Sequence, residues 1–416
     1  MNIETSRRSF AKAAALVGVG ALAGGQLTIG SASAASSTPS TSSNAAAAAA
    51  QSVRNAPPLA PPDRQPPDLK VPEAVKRKTG WAIVGLGQLA LEEILPAFAE
   101  CRLSQPVALV SGHPDKARKV AETYGIDPAA IYDYETYDRL AQNDRVDAIY
   151  IVLPNSMHAE YTIRGLRAGK HVLCEKPMAA SVEECERMIA ASKEAGKRLM
   201  IAYRLHYEPF NRKVMELAEQ KIYGAVKTFS SSNCQDVKAP NIRLSRQLAG
   251  GPVEDVGVYC INAARYVIRE EPVEVVAFAH RPTDDSRFRE VPESVAFTLR
   301  FPSGALAHCD CSFGAATSRR YVANCERGVI EMDPAFSYTG LRLAVSEGSE
   351  QKGDARKSEL KLEPVNHFAS EMDHFSDCIL NNKAPHTPGE EGLADMRVVT
   401  AIAESVQTGK PVRIGK

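Results

Sequence analysis

No net charge remains when the ionisable residues of this 416-residue chain are counted: 50 lysines and arginines stand against 50 aspartates and glutamates. A nucleic-acid-binding surface needs a basic surplus, so no such partner is expected, and the balance gives no sign of an acidic substrate. Cys-x-x-Cys is also absent. The nine cysteines are an odd number, and Cys309 and Cys311, which a strand would turn to one side, lack the second pair that a structural zinc site requires. No metal is expected, and most cysteines read as small buried hydrophobes. A membrane-spanning run is missing as well. The apolar stretch after Arg8 is interrupted by Gly18, Gly20, Gly24 and Gly25 and is only mildly hydrophobic. The length is sufficient for two domains and a large core.

That mildly apolar stretch has a different meaning. Ser6-Arg7-Arg8-Ser9-Phe10-Ala11-Lys12 is a twin-arginine export motif in nearly full form, and Ala32-Ser33-Ala34 is a small-residue cleavage site. Residues 1–34 are therefore expected to be a signal peptide engaged by the twin-arginine translocase, which carries folded proteins, and the mature chain is expected in the periplasm. Residues 35–78 form an arm outside the fold. Its first part is an Ala/Ser/Thr spacer, and residues 57–72 carry seven prolines, which favour extended polyproline II. The arm reads as a tether, or as a strap lying along a neighbouring subunit.

The pattern over residues 79–203 is that of a Rossmann dinucleotide-binding domain. Trp81 to Val84 is a strand, and Gly85-Leu86-Gly87-Gln88-Leu89-Ala90 follows as G-x-G-x-x-A. Leu91, Ile94, Leu95 and Phe98 then recur at helical spacing. The first glycine makes the turn, the second lets the backbone approach a pyrophosphate, and the helix amino end supplies unpaired N–H groups. Pro96 within that helix predicts a kink. Val107 to Ser111 is a second strand. Its end normally carries an acid for the ribose hydroxyl of NAD, but here it reads Ser111-Gly112-His113, with Lys116 in the next helical turn and Arg118 as a competing cation. A missing carboxylate beside a cation suits a 2′-phosphate, hence NADP. Asp147 to Leu153 is a buried strand stopped by Pro154 and Asn155. Ala159, Ile163 and Leu166 mark a helix, and His171 to Cys174 a further strand closed by Glu175-Lys176-Pro177. Such a unit is parallel and right-handed, so Glu175 and Lys176 should leave the carboxyl end of a central strand. Ser181 and Glu184 form a capping box for another helix, and Arg198 to Ala202 is one more strand.

Over residues 204–416 the texture changes to an α+β domain. The runs VKTFSSSN, VEVVAFAH, SVAFTLRF, ALAHCDCSF, RYVANCE and VIEMD are strand-like with short connections, which predicts a large, mostly antiparallel open sheet. A helix precedes most of it. Asp255, Tyr259 and Asn262 lie at i, i+4 and i+7 and should share one helical face. Two helices, about 367–381 and 389–407, close the chain.

These motifs together resemble the glucose–fructose oxidoreductase (Gfo/Idh/MocA) family: G-x-G-x-x-A, Glu-Lys-Pro, Asp-x-Gly-x-Tyr, the run Tyr203–Arg212 and Leu248-Ala249-Gly250-Gly251. The resemblance covers about residues 79–416 and the signal. It implies Lys176 beside a nicotinamide and Asp255 and Tyr259 around the substrate carbon. It implies a cofactor lined by Gly85, Leu86, Gly87, Gln88, Ser111, Lys116, Tyr134, Pro154, Asn155, His158, Glu175, Lys176, Arg204, Arg243 and Tyr338. For His158 a core role remains an equal alternative. It also implies a dimer or tetramer formed through the sheet and the arm. The loop DVKAPNIRLSR departs from the family pattern, which bears on sugar choice.

The chemistry fits. A tyrosine is a poor base near neutrality, and an adjacent ammonium favours its phenolate, so Lys176 and Tyr259 make a proton-transfer pair if the fold joins them. The expectation is an exported, NADP-dependent sugar oxidoreductase with tightly bound cofactor, which oxidises one sugar and reduces a second. Alternatives are an ordinary dehydrogenase with exchangeable cofactor, or a non-catalytic sugar-binding protein on the same fold.

Overall fold

The computed structural model describes residues 77–348, 353–354 and 356–415. The export signal, and all of the arm except Arg77 and Lys78, lie outside the described residues.

Six parallel strands form the first sheet: β1 (Thr79–Val84), β2 (Ser104–Val110), β3 (Ile131–Tyr132), β4 (Ala148–Ile151), β5 (His171–Glu175) and β6 (Leu199–Ala202), in the order β3-β2-β1-β4-β5-β6. Every residue of β1 and β4 is buried, because helices cover both faces of a parallel sheet, and this is why both read as unbroken apolar runs. The winding direction reverses between β1 and β4, making a crevice beyond their carboxyl ends. β5 is an inner strand but stands next to the edge strand β6, so Glu175 and Lys176 leave the sheet beside that crevice rather than at its centre.

The turn after β1 requires glycine. Gly85 has φ +94°, and a Cβ there would stand 2.2 Å from the Val152 carbonyl oxygen. The chain then enters a π-helical turn, Ala90–Ile94, and a short helix, Leu95–Ala97. The kink expected at Pro96 takes this form. The wider turn comes first, and Pro96 becomes the second residue of the short helix, where its missing N–H leaves no bond unmade.

The second sheet has nine strands: β7 (Val226–Asp236), β8 (Glu274–His280), β9 (Ser294–Arg300), β10 (Leu306–Ser312), β11 (Gly314–Cys325), β12 (Gly328–Met332), β13 (Leu343–Glu347), β14 (Arg356–Leu360) and β15 (Val412–Arg413). Their order is β14-β13-β12-β11-β7-β10-β9-β8-β15. All neighbours are antiparallel except β7 and β10, which pair in parallel in the middle of the sheet. In β9 and β10 buried and exposed residues alternate, so one face meets the core and the other is open.

The two closing helices, His367–Leu380 and Gly389–Thr408, return to the first sheet. Asp373 accepts from the Arg102 and Leu103 amides at 2.6 and 2.9 Å and from the Ser104 hydroxyl at 2.8 Å, while Trp81 Nε1 donates to Ser376 at 3.2 Å. One hydrophobic core therefore runs from β1 through these helices into the second sheet. All nine cysteines are free thiols, and eight are buried.

Candidate active site

Three elements converge beyond the end of β5. Lys176 follows the strand directly. Asp255 sits in a π-helical turn, Val253–Gly257, which runs into the helix Val258–Ile268, and Tyr259 is in the first turn of that helix. The π-turn shifts Asp255 relative to the helix that follows it. Asp255 and Tyr259 face the site, whereas Asn262, one turn on from Tyr259 in the regular helix, does not. Asn262 instead accepts from His206 Nε2 at 2.8 Å and donates to Asp395 at 3.0 Å in the core.

The Lys176 ammonium lies 3.1 Å from Asp255 Oδ1, 2.7 Å from the Asp255 carbonyl and 4.7 Å from the centre of the Tyr259 ring. On the other side, Asp255 Oδ2 accepts from Arg243 Nε at 2.6 Å and from Gln235 Nε2 at 3.3 Å. Burial alone would push the Lys176 ammonium down. The Asp255 carboxylate, with Tyr259 and Glu175, outweighs it and holds the ammonium above its ordinary value. For Asp255 burial pulls upward, but Lys176 and Arg243 hold the carboxyl well below the usual carboxylate range. Asp255 is thus a fixed anion that positions two cations. It is unsuited to taking up a proton itself. Its neighbour Glu254 is raised to about 7, chiefly by burial.

The residues expected around a cofactor divide into three groups. The glycine loop has the shape for a pyrophosphate: a Cβ on Gly87 would meet nothing within 4 Å, so the main chain is open there. Lys116 Nζ reaches over this loop and donates to the Leu86 carbonyl at 3.2 Å. Ser111 is buried and accepts from the His113 amide at 3.1 Å, and the Tyr134 ring lies against Gly112. Gln88 is engaged with Glu92. Asn155, after the half-buried Pro154, donates to the Ala249 carbonyl at 2.8 Å and so joins the β4 loop to the second half of the molecule.

A second group gathers at Tyr259. Arg204 lies 5.2 Å from its ring and 4.6 Å from the ring of Tyr338. Its terminal nitrogens donate to the Phe336 and Ser337 carbonyls, so they do not line a cofactor surface as expected. Glu175 is also turned inward, accepting from the Tyr150 hydroxyl at 2.8 Å and the Lys176 amide at 3.2 Å.

His158 forms the third group alone and corrects the cofactor-contact expectation. It is fully buried, with ring nitrogens 2.8 Å from the Pro177 carbonyl and 2.9 Å from the Leu153 carbonyl. Both nitrogens are occupied, so it ties the end of β4 to the segment after Lys176. Burial depresses its protonation.

Gln235, Tyr150 and Glu371 were not found from the sequence. Gln235 stands one residue before the end of β7 with no spacing to mark it, and Tyr150 is hidden within an apolar run. Glu371 is fully buried on the helix His367–Leu380, with no hydrogen-bond partner for either carboxyl oxygen.

Residues 79–203 match a family profile described as "Oxidoreductase family, NAD-binding Rossmann fold", and residues 211–331 match one described as "GFO/IDH/MocA C-terminal domain". A D-xylose 1-dehydrogenase [NADP(+)] from Haloarcula marismortui is 31% identical over 343 residues, covering 80% of this chain and 92% of that protein. The crystal structure of an aldose-aldose oxidoreductase from Caulobacter crescentus, complexed with glycerol, is 42% identical with a TM-score of 0.78, and covers 81% of this chain and 100% of that one. A 3-ketoreductase from Actinomadura kijaniata, in complex with NADP and TDP-benzene, is 26% identical with a TM-score of 0.70, covering 79% and 98%.

Proposed function

Since the chain belongs to the GFO/IDH/MocA oxidoreductase family, we propose that it is an exported, NADP-dependent sugar oxidoreductase that works in two alternating half-reactions. In the first an aldose becomes its lactone. In the second another sugar, ketose or aldose, becomes a polyol. The observation that carries this reading is the Lys176 ammonium, pinned by Asp255 and set against the Tyr259 ring at the mouth of a dinucleotide fold.

The glycine loop Gly85–Gln88, Lys116 and Ser111 would hold the nucleotide, and the NADP-dependent relatives support that choice of cofactor. Bound NADP would supply the hydride acceptor and, once reduced, the hydride donor. Tyr259 takes the proton of the sugar hydroxyl as the anomeric hydride leaves. The positive charge of Lys176 favours the negative tyrosine oxygen that begins this step. Asp255, itself braced by Arg243 and Gln235, keeps the ammonium in place. When the second sugar occupies the site, Tyr259 returns the same proton to its carbonyl oxygen. One proton is taken and one given back, so the site ends as it began.

Export supports a cofactor that stays bound. The twin-arginine motif implies folding, with nucleotide in place, before the membrane is crossed. The periplasm is expected to hold no NADP pool, and an enzyme that released its nucleotide there would turn over once. The aldose-aldose oxidoreductase neighbour supports the two-sugar form, whereas the xylose dehydrogenase relatives favour a second reading, an ordinary dehydrogenase with exchangeable cofactor. Steady-state kinetics separate the two. Parallel double-reciprocal lines for donor and acceptor, with full activity after dialysis and no added NADP, are expected. Intersecting lines, or activity lost on dialysis and restored by free NADP, would establish the ordinary dehydrogenase.

A further inference from the structure

Arg204 carries a charge that the scheme above leaves unused. It is 4% exposed, yet forms no ion pair with a carboxylate among the described residues. Nη2 donates to the Phe336 carbonyl at 2.6 Å, and Nη1 donates to the Ser337 carbonyl at 3.2 Å and to His367 Nδ1 at 3.1 Å. His367 Nε2 lies 3.0 Å from the Tyr338 carbonyl, which fixes its proton on Nε2 and leaves Nδ1 free to accept. Burial and then Arg204 depress its protonation to about 3, so it adds no charge. The guanidinium is therefore clamped by neutral acceptors in one orientation, against the faces of Tyr338 and Tyr259.

A buried cation without a counter-ion is costly, and carbonyls and aromatic faces offset only part of that cost. Three acids lie within its field: Glu93, Glu175 and Glu371. Burial raises all three, and Glu371, with neither oxygen hydrogen-bonded, is raised well above the ordinary carboxyl value. The contrast with Lys176 is direct, because that ammonium shares its charge with Asp255 at 3.1 Å. Tyr259 thus has two cations against its ring, one already matched and one not.

We infer that Arg204 is a positioning residue that acts through Tyr259: its unmatched charge, in concert with that of Lys176, stabilises the negative tyrosine oxygen that opens the first half-reaction and is restored by the second. The inference rests on the proton-transfer role proposed for Tyr259 and replaces the cofactor-lining role expected for Arg204.

Arg204→Met keeps the length of the side chain and removes the charge, and Arg204→Lys keeps a charge. With an aldose donor, Arg204→Met is expected to lower kcat on the order of 10²-fold, within the range of a perturbed acid–base group, with KM and cofactor content nearly unchanged. Arg204→Lys should recover most of the loss. Adding Arg204→Met to Tyr259→Phe should cost little more than Tyr259→Phe alone, because Arg204 acts through the Tyr259 hydroxyl. Losses that multiply, or a raised KM with lost cofactor and intact kcat, would overturn the inference. If Arg204→Met does not fold, Arg204→Gln, which can still donate to the Phe336 carbonyl, takes its place. A second readout needs no turnover: in an alkaline titration, the part of the tyrosinate absorbance that is lost in Tyr259→Phe should appear at higher pH in the Arg204→Met variant than in the parent. A parent protein inactive on every aldose would sink the sugar reading, and the titration would still decide the role of Arg204, an unchanged titration being the adverse result.

Discussion

At the scale of single residues, the proposed mechanism separates charge from proton transfer. Asp255 is held anionic by two cations and has little tendency to take up a proton, which is why the proposal gives that part to the Tyr259 hydroxyl. Tyr259→Phe keeps the ring, and with it the contacts to Lys176 and Arg204. Turnover is expected to fall about 10²–10⁴-fold while extracted cofactor stays at the parent level. Near-normal turnover would remove Tyr259 from the chemistry. His158 shows the opposite case. A histidine between two substrate-site motifs invites a functional reading, but its two backbone carbonyl partners make it a tie between loops. Nothing in the sequence distinguishes the two roles, because both partners are main-chain atoms that any residue could supply.

At the scale of elements, the turn after β1 is the least tolerant. Gly85→Ala would place a methyl group against the backbone oxygen of Val152, which has no rotamer by which to move aside. The variant is expected to lose about 1–3 kcal/mol of stability and to purify with little nucleotide, while far-ultraviolet circular dichroism stays close to the parent. Full nucleotide content would show that the loop does not depend on that turn. Most strands were legible where burial imposed a pattern. β1 and β4 read as solid apolar runs, and all six strand-like runs of the second half are strands. β3, β13, β14 and β15 were not read, although β13 buries Leu343 and Val345. β14 is mostly exposed, Arg-Lys-Ser-Glu-Leu, and β15 has two residues, so neither carries a core-facing signature. The parallel pairing of β7 with β10 was illegible for another reason, since it joins segments far apart in sequence through main-chain bonds. The π-turns at Ala90–Ile94 and Val253–Gly257 were equally hidden. Spacing arguments assume a uniform helix, and the single face expected for Asp255, Tyr259 and Asn262 does not hold, since Asn262 bonds His206 and Asp395 in the core.

At the scale of the whole molecule, the open face of the second sheet is where a partner is expected. It presents Ser230, Ser232, Thr298, His308 and Arg320 around Phe278, which is 71% exposed. A flat face of small residues with one projecting aromatic suits a second copy of the chain. Light scattering should give a dimer or tetramer, and Phe278→Asp should shift the mass downward; a monomeric mass for the parent would refute the assembly. The free thiols have a consequence of their own. Burial pushes Cys101, Cys185 and Cys260 up to about 12, so almost none of each is thiolate, the form that reacts. No step in reaching the fold waits for an oxidant, because no cysteine is paired. The same covalent structure can be completed in a reducing compartment and kept in an oxidising one, which is what the proposed export would require.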